Sequence, residues 1–178
     1  MIKLINRQDY TERITPFIDK NIIKVLTGQR RVGKSCILRQ IQEHIERTNA
    51  NSNTICINKE LEEFAFIRTN EQLTAYVTEH LKEGCANYLF IDEVQDINGF
   101  EHTLRSLQAQ DACDIFITGS NATMLSSELS TYLSGRYIEF LYLFVTLCFL
   151  CFSFCWHSDA PASLMISFGG WVSRATLS

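Results

Sequence analysis

The sequence predicts an α/β fold, a three-layer sandwich in which a mostly parallel β-sheet lies between helices. Two observations predict it. Short apolar runs typical of buried strands alternate with longer segments in which apolar residues recur every three or four positions. Two of the apolar runs also end in residues of the kinds that bind ligands at the carboxyl edge of a parallel sheet. The 178 residues are enough for one such domain with a buried core.

The elements are predicted in a regular order along the chain. The first is a helix over about residues 9–18, although Pro16 disfavours its clean continuation. Strands are predicted over 22–27, 54–58, 88–91 and 115–118, with a candidate fifth strand over 137–140. Helices are predicted over 34–47, 71–82 and 100–109. We therefore divide the chain into an N-terminal helical segment (1–20), a central domain (21–140) and a C-terminal tail (141–178).

The first strand leads into a glycine-rich loop. Residues 28–35 fit the pattern G-x-x-x-x-G-K-S of a P-loop, which needs a strand before it and a helix after it. Gly28 and Gly33 allow the backbone N–H groups to surround an anion. Lys34 would reach the β- and γ-phosphates of a nucleotide, and the Ser35 hydroxyl would bind Mg²⁺. The predicted nucleotide-binding residues are Gly28, Gln29, Arg30, Arg31, Val32, Gly33, Lys34, Ser35 and Cys36.

Two adjacent arginines within this loop leave two interpretations open. Arg30 and Arg31 can be a solvated basic pair on the surface of the loop. Alternatively, one of them contacts a partner or a neighbouring subunit, since a guanidinium group pairs well with carboxylates and phosphates.

The third predicted strand ends in two acids. Its sequence is Tyr-Leu-Phe-Ile, and Asp92 and Glu93 follow directly. Asp92 would hold Mg²⁺ directly or through water, and Glu93 would accept a proton from the attacking water or orient it. Alone, the two acids could simply be exposed at a strand end. The matching P-loop upstream favours the catalytic interpretation.

The fourth predicted strand is followed by Gly119, Ser120 and Asn121. A polar residue at this place can contact the γ-phosphate or position the water, with Asn121 the first candidate and Ser120 the second. The alternative is a turn that supplies the N-cap of a helix near residues 124–125. One residue can serve both purposes, so neither interpretation excludes the other.

Three blocks in this order resemble a known family: GQRRVGKS, YLFIDEVQDI and IFITGSNATMLSSELSTYLSGRY. They are similar to AAA+-type P-loop ATPases of bacteria and archaea that carry a C-terminal domain of unknown function. The resemblance covers about residues 1–140. It implies an additional-strand core, in which one strand lies between the P-loop strand and the Asp-Glu strand. It also implies that ATP is bound, with Mg²⁺, and the sequence contains no N/T-K-x-D guanine-binding motif.

By the same resemblance, Gly135 and Arg136 match a glycine-arginine pair of the family. Arg136 is therefore a candidate for contact with the γ-phosphate, including contact across a subunit interface, as arginine fingers act. This implies a possible homo-oligomer. The alternative is a surface arginine next to a strand.

Charge and cysteine content limit the partners and the compartment. The net charge of −4 gives no global electrostatic signature of a nucleic-acid-binding protein, although local basic patches are not excluded. A protein or nucleic-acid partner therefore stays open. The seven cysteines are odd in number and scattered, and the first residues lack the apolar stretch of a signal peptide. Both observations favour a reduced, cytoplasmic protein.

The tail does not continue this pattern. Residues 141–156 form an uncharged, mostly apolar run, and the tail has only two charged side chains, Asp159 and Arg174. The run is somewhat shorter than the roughly 20 residues of a membrane-spanning helix and lacks a flanking basic cluster. It can also be a buried terminal element. We favour a third interpretation, in which a frameshift or truncation has replaced the family's lid or second domain.

These patterns predict Mg²⁺-dependent ATP hydrolysis coupled to an unknown partner or to a missing domain. The alternative is a nucleotide-binding switch, or a truncated fragment without useful turnover, which the unusual tail would explain. A small-molecule kinase is a third hypothesis. It is disfavoured because Glu93 directly after Asp92 is typical of an enzyme that uses water as the acceptor.

Overall fold

The computed structural model describes residues 12–120, 133 and 135–142. Within them the strands are β1 (Ile23–Gly28), β2 (Ser52–Asn58), β3 (Ala86–Asp92), β4 (Asp114–Gly119) and β5 (Tyr137–Tyr142). The helices are α1 (Lys34–Thr48), α2 (Asn70–His80) and α3 (Phe100–Ala109). Short 3-10 turns cover Thr15–Phe17, Glu62–Phe64 and Val94–Asp96.

The five strands form one parallel sheet in the order β2-β3-β4-β1-β5. Strand β4 lies between β1 and β3, which confirms the additional strand that the resemblance implied. In the register, Thr27 of β1 lies opposite Gly119 of β4, and Ile91 of β3 lies opposite Ile117. Because the strands are parallel, the P-loop after β1 and the acids after β3 lie at the same carboxyl edge.

Helices cover both faces of the sheet, as predicted. Successive side chains of a strand point to opposite faces, and Val25 and Leu26 accordingly belong to two different core clusters. The first face packs against α2 and α3, through Leu73, Val77, Leu104 and Leu107. The second packs against α1, through Ile37, Leu38, Ile41 and Ile45. Each fully buried aliphatic side chain contributes roughly 1.5–3 kcal/mol relative to exposure.

The boundaries differ from the predicted ones where the backbone, rather than the apolar pattern, decides them. Helix α2 ends at His80, two residues before the predicted end, because Leu81 is already extended with a ψ of 140°. Strand β5 continues to Tyr142, because its backbone pairs with β1 as far as Gly28. Of the predicted N-terminal helix, residues 12–14 are helical, and Pro16 lies in the 3-10 turn that follows.

A buried ion pair lies near the amino edge of the sheet. Lys24 of β1 is fully buried, and its ammonium pairs with the carboxylate of Asp114 and donates to the backbone oxygen of Lys20 at 2.8 Å. The other carboxylate oxygen of Asp114 accepts from the backbone N–H of Asp19 at 2.9 Å. The hydroxyl of Tyr88 donates to Oδ1 of Asp19 at 2.6 Å. These bonds fasten the segment before β1 to three strands.

Burial dominates the titration of this cluster. It lowers the pKa of Lys24 and raises the pKa of Asp114, and the attraction between the two charges opposes both changes. Burial, with Asp19 as the next contribution, raises the pKa of Tyr88 to about 12.

In the part of the chain that is described, no helix is long and apolar enough to cross a membrane. Residues 143–178, on which the interpretations of the tail rest, lie outside that part.

Candidate nucleotide-binding site

The P-loop connects β1 to α1 at the carboxyl edge of the sheet. Gly28 has a φ of 146° and Gly33 a φ of 90°, and both values lie in the region that favours glycine. Gly33 is the N-cap of α1, and its carbonyl accepts the first helical bond, from the N–H of Ile37 at 3.1 Å. The positive end of the helix therefore faces the loop, where an anion would bind.

The side chain of Lys34 lies inside the loop. It is 4% exposed, and its Nζ donates to the carbonyl oxygens of Gly28 at 3.0 Å and Gln29 at 3.1 Å. The same Nζ lies 3.9 Å from Oε1 of Glu93. The ammonium thus joins the loop after β1 to the acids after β3, two motifs that are far apart in the sequence.

The other predicted loop residues differ in exposure. Val32 is buried in the core cluster that contains Leu26, so its side chain anchors the loop rather than facing a ligand. The remaining side chains point to solvent at the surface of the loop and the first turn of α1: Gln29, Arg30, Arg31, Ser35 and Cys36. Both interpretations of the two arginines are compatible with this exposure.

The two acids at the end of β3 are held by a threonine of β4. Asp92 and Glu93 are only 4% and 8% exposed, and Thr118 is fully buried between them. The Thr118 hydroxyl donates to Oδ1 of Asp92 and accepts from the backbone N–H of Glu93 at 3.0 Å. One hydroxyl group thereby uses its donor and an acceptor site to fix both acidic residues.

Glu93 has an unusual backbone. Its φ of 57° and ψ of 55° lie in the left-handed region, which costs a non-glycine residue on the order of 1–2 kcal/mol. Such strain concentrates at functional sites, where the surrounding structure enforces it. Here the bond to Thr118 and the 3-10 turn Val94–Asp96 hold the residue. Its carboxylate consequently faces the P-loop.

The end of β4 also faces this site. The Oγ of Ser120 lies 3.4 Å from the side-chain nitrogen of Gln95, whose amide also donates to Oε2 of Glu93 at 2.5 Å. Ser120 is therefore close to the candidate base. Asn121, the first candidate for contact with the γ-phosphate, lies outside the described residues and stays a prediction.

Arg136 is exposed at the opposite edge of the sheet. It immediately precedes β5, and its carbonyl oxygen accepts from the N–H of Ile23, at the start of β1, at 3.0 Å. Strand β1 rises about 3.3 Å per residue, so the P-loop after Gly28 lies about 16 Å further along. An arginine there does not reach a phosphate bound by its own P-loop. This location is compatible with a surface arginine next to a strand and, of the two kinds of phosphate contact, only with one across a subunit interface.

Two residues near the acids, Thr118 and Gln95, were not predicted as site residues. A weak signal for Thr118 was present, because it is a polar residue that ends an otherwise apolar strand. For Gln95 the only signal is its place two residues after Glu93. The bonds of Thr118 to the two acids, and the approach of Gln95 to Ser120, depend on the register of β3 against β4, which the sequence does not reveal.

The donor set at this edge fits a magnesium ion. Asp92 offers a buried carboxylate and Ser35 an exposed hydroxyl in the first turn of α1, and Mg²⁺ prefers such hard oxygen ligands. Two protein ligands suffice, because Mg²⁺ usually keeps water and substrate phosphates in its coordination shell. Among the residues described, no group of three or more His, Cys, Asp or Glu side chains could hold a metal ion.

Two curated relatives cover most of this chain. This chain is 35% identical over 138 residues to an uncharacterized protein of Haemophilus influenzae. The alignment covers 76% of this chain and 34% of that protein. An uncharacterized protein of Methanocaldococcus jannaschii is also 35% identical over 138 residues, covering 77% of this chain and 29% of that protein. The chain thus spans about a third of the length of these relatives.

Two solved AAA+ ATPase structures share the fold. PCH-2 of C. elegans has a TM-score of 0.51 at 18% identity, covering 76% of this chain and 39% of that one. The closed state of Hsp104 with ATPγS and FITC casein has a TM-score of 0.54 at 15% identity, covering 78% of this chain and 27% of that one. Residues 20–151 match the AAA domain family. With this match and the P-loop, acid pair and strand order described above, the chain belongs to the AAA domain family.

Proposed function

We propose that this chain binds ATP and hydrolyses it with the help of Mg²⁺. The observation that carries the proposal is the approach of Lys34 to Glu93, with Nζ 3.9 Å from Oε1, which brings a phosphate-binding cation to a candidate base. Membership of the AAA domain family supports a nucleotide as the ligand, and Hsp104, which shares the fold, was solved together with ATPγS. We further propose residues 21–140 as the ATPase domain.

In the proposed complex the phosphates lie between the P-loop and the start of α1. The backbone N–H groups of the loop and the helix N-terminus would surround them. Lys34 would exchange its bonds to the carbonyls of Gly28 and Gln29 for bonds to the β- and γ-phosphate oxygens. Ser35 and Asp92 would hold Mg²⁺, which, when bound, offsets the negative charge of the phosphates.

Glu93 then acts on the attacking water. The water oxygen forms a bond to the γ-phosphorus while its proton passes to the Glu93 carboxylate. The bond between the γ-phosphorus and the bridging oxygen breaks, and ADP leaves with the electron pair. The products are ADP and inorganic phosphate, and Glu93 returns its proton to solvent. Asn121 and Ser120 are the proposed contacts to the γ-phosphate or the water.

We propose that hydrolysis drives a conformational change in a partner or in a further part of a longer protein. The relatives support this, because this chain spans only about a third of their length. The exposed Arg136 at the far edge of the sheet would act as an arginine finger in a homo-oligomer. The proposed compartment is the cytoplasm.

Three purified proteins test hydrolysis: the wild type, Lys34→Ala and Glu93→Gln. We expect Lys34→Ala to lose ATP binding, and Glu93→Gln to bind ATP with near wild-type affinity but to lose at least about 100-fold in turnover, since it cannot accept the proton. Binding by the wild type with equal, negligible turnover in all three would instead favour the nucleotide-binding switch or a fragment without turnover.

A mixing experiment tests the role of Arg136. Arg136→Ala and Glu93→Gln should each be inactive alone. If the arginine acts across the interface, a mixture contains some sites built from an intact Glu93 and a neighbour's intact Arg136. ATPase activity should therefore appear on mixing, together with an oligomer in light scattering. A monomeric protein, or a mixture that stays inactive, would rule out the arginine finger.

A further inference from the structure

The amide of Gln95 joins the candidate base to the end of the neighbouring strand. Its Nε2 donates to Oε2 of Glu93 at 2.5 Å and lies 3.4 Å from Oγ of Ser120. A carboxylate can only accept hydrogen bonds, so the nitrogen of the amide must face Glu93. The orientation of the amide group is thereby fixed.

The other end of the same amide is buried without a bond. Within the described residues, Oε1 of Gln95 has no hydrogen-bond partner. Buried side-chain acceptors are usually satisfied, and an unsatisfied one needs an explanation. The amide thus keeps its nitrogen on Glu93 although its oxygen makes no bond within the described residues.

The backbone around Gln95 is anchored in the core. Gln95 is the middle residue of the 3-10 turn Val94–Asp96, in which the N–H of Ile97 donates to the carbonyl of Val94 at 3.0 Å. Val94 and Ile97 are both buried in the core cluster that contains Ile91. The turn therefore holds the amide at a fixed distance from the end of β3.

Two groups compete for the Glu93 carboxylate. The ammonium of Lys34 is 3.9 Å from Oε1, whereas the amide of Gln95 bonds Oε2. If the carboxylate moved fully onto Lys34, it would neutralise the cation that binds phosphate and would turn away from the water. A neutral amide can hold the carboxylate in place while leaving its charge available to accept a proton.

We propose that Gln95 is a positioning residue for hydrolysis, which holds the Glu93 carboxylate off Lys34 and ties it to Ser120 at the end of β4. This inference rests on the proposed ATPase activity. The inference goes beyond that activity, because it assigns the orientation of the base to a residue outside the P-loop and the acid pair. Since Gln95 is not among the groups proposed to bind the phosphates, its loss should affect kcat far more than ATP binding.

The test compares Gln95→Ala and Gln95→Glu with the wild type and with Gln110→Ala, a control at the exposed end of α3 whose amide bonds only Ser106 among the described side chains. We expect Gln95→Ala to lose about 10- to 100-fold in kcat, with the Kd for ATP within about twofold of wild type. Gln110→Ala should retain both values. Thermal unfolding of each variant checks that the fold is intact.

The pH profile of Gln95→Glu separates positioning from a structural role. At neutral pH it places a second carboxylate beside Glu93, which repels it, so turnover should fall at least as far as in Gln95→Ala. At lower pH the new carboxyl group takes up a proton and can donate as the amide does. Its activity relative to wild type at the same pH should therefore rise as the pH falls. Because a glutamate side chain has nearly the shape of glutamine, Gln95→Glu can still test the proposal if Gln95→Ala unfolds.

The outcomes are distinguishable. A wild-type protein that binds ATP without hydrolysing it would overturn the proposed function and this inference with it. An active wild type with unchanged kcat in Gln95→Ala would overturn only the role of Gln95. Equal losses in kcat and ATP affinity, with a flat relative pH profile for Gln95→Glu, would show that Gln95 merely supports the structure of the site.

Discussion

The hydroxyl of Thr118 accepts a hydrogen bond from the backbone N–H of Glu93 at 3.0 Å, and the same hydroxyl donates to Asp92. A single residue of β4 therefore sets the positions of both acids of β3. Thr118→Val keeps the shape of the side chain but leaves the buried N–H of Glu93 without a partner, which costs about 1–3 kcal/mol. We expect a loss of stability of this size in urea unfolding and at least a tenfold loss of ATP turnover.

Thr118→Ser is the matched control for this prediction. It retains the hydroxyl and therefore both hydrogen bonds, and loses only one buried methyl group, worth about 1 kcal/mol. Turnover should stay within a few-fold of wild type. If the serine variant loses turnover while the valine variant keeps it, the packing of the methyl group matters and the hydrogen bonds to the acids do not.

Cys36 offers a direct readout of nucleotide binding at the P-loop. It is exposed in the first turn of α1, next to Ser35. Phosphates bound at the loop would cover it, so ATPγS with Mg²⁺ should slow its alkylation severalfold, measured for each cysteine by peptide mass spectrometry. Cys85 lies just before β3, at the end of that strand opposite Asp92. It should react at the same rate with and without nucleotide.

Two half-buried cysteines, Cys56 and Cys113, provide an internal reference in the same experiment. Burial raises the pKa of Cys113 to about 12 and the pKa of Cys56 to about 11. Since the thiolate is the reactive form, both should alkylate slowly at pH 8 in either state. Saturating ATPγS that leaves the rate at Cys36 unchanged would contradict binding at this loop.

The part of the site that the sequence predicts is the part built from contiguous residues. The P-loop and the Asp92–Glu93 pair each follow a strand directly, so apolar patterning and one motif suffice to predict them. Thr118 bonds both acids from the neighbouring strand, and Gln95 approaches Ser120 at the end of β4, so these contacts depend on register. The location of Arg136 depends on the direction of β5. Once that strand is known to be parallel to β1, a residue before it must lie at the amino edge.

The fold is predicted for the same physical reason. Strand and helix periods are local, and alternating strands and helices give a parallel sheet with few exceptions. The left-handed backbone of Glu93 was not foreseen, because glutamate has no preference for it and only the packing around it imposes the strain. Apart from the N-terminal helix, the ends of the elements differ from the predicted ones by at most two residues, because hydrogen bonding rather than side-chain pattern sets them.

The ion pair of Lys24 with Asp114 makes a prediction about stability. Removing one partner of a buried pair leaves an uncompensated charge and typically costs about 3–5 kcal/mol, whereas removing both is far less harmful. Lys24→Met should lose stability in that range in urea unfolding. Lys24→Met with Asp114→Asn should recover most of it, because the asparagine can still accept the bond from Asp19. A double variant as unstable as Lys24→Met alone would mean that the loss of stability comes from the lost attraction between the two charges and not from an uncompensated charge.

Tyr88 predicts how stability changes in alkali. Burial raises its pKa to about 12 in the folded chain, whereas an exposed tyrosine titrates near 10. Between these values the unfolded chain releases the phenolic proton and the folded chain keeps it, so the folded state binds more protons and stability falls as the pH rises. The contribution of the protonated Tyr88 hydroxyl to the free energy of unfolding is complete below about pH 10 and is lost as the pH passes about 12.

Tyr88→Phe isolates this contribution from the other groups that titrate in alkali. The variant lacks the bond from the hydroxyl to Asp19, so it should be less stable than wild type at pH 8. The difference in the free energy of unfolding between the two proteins, measured in urea at intervals from pH 8 to 12, should shrink steadily above pH 10. A difference that stays constant or grows over this range would mean that the Tyr88 hydroxyl ionises at least as readily in the folded chain as in water.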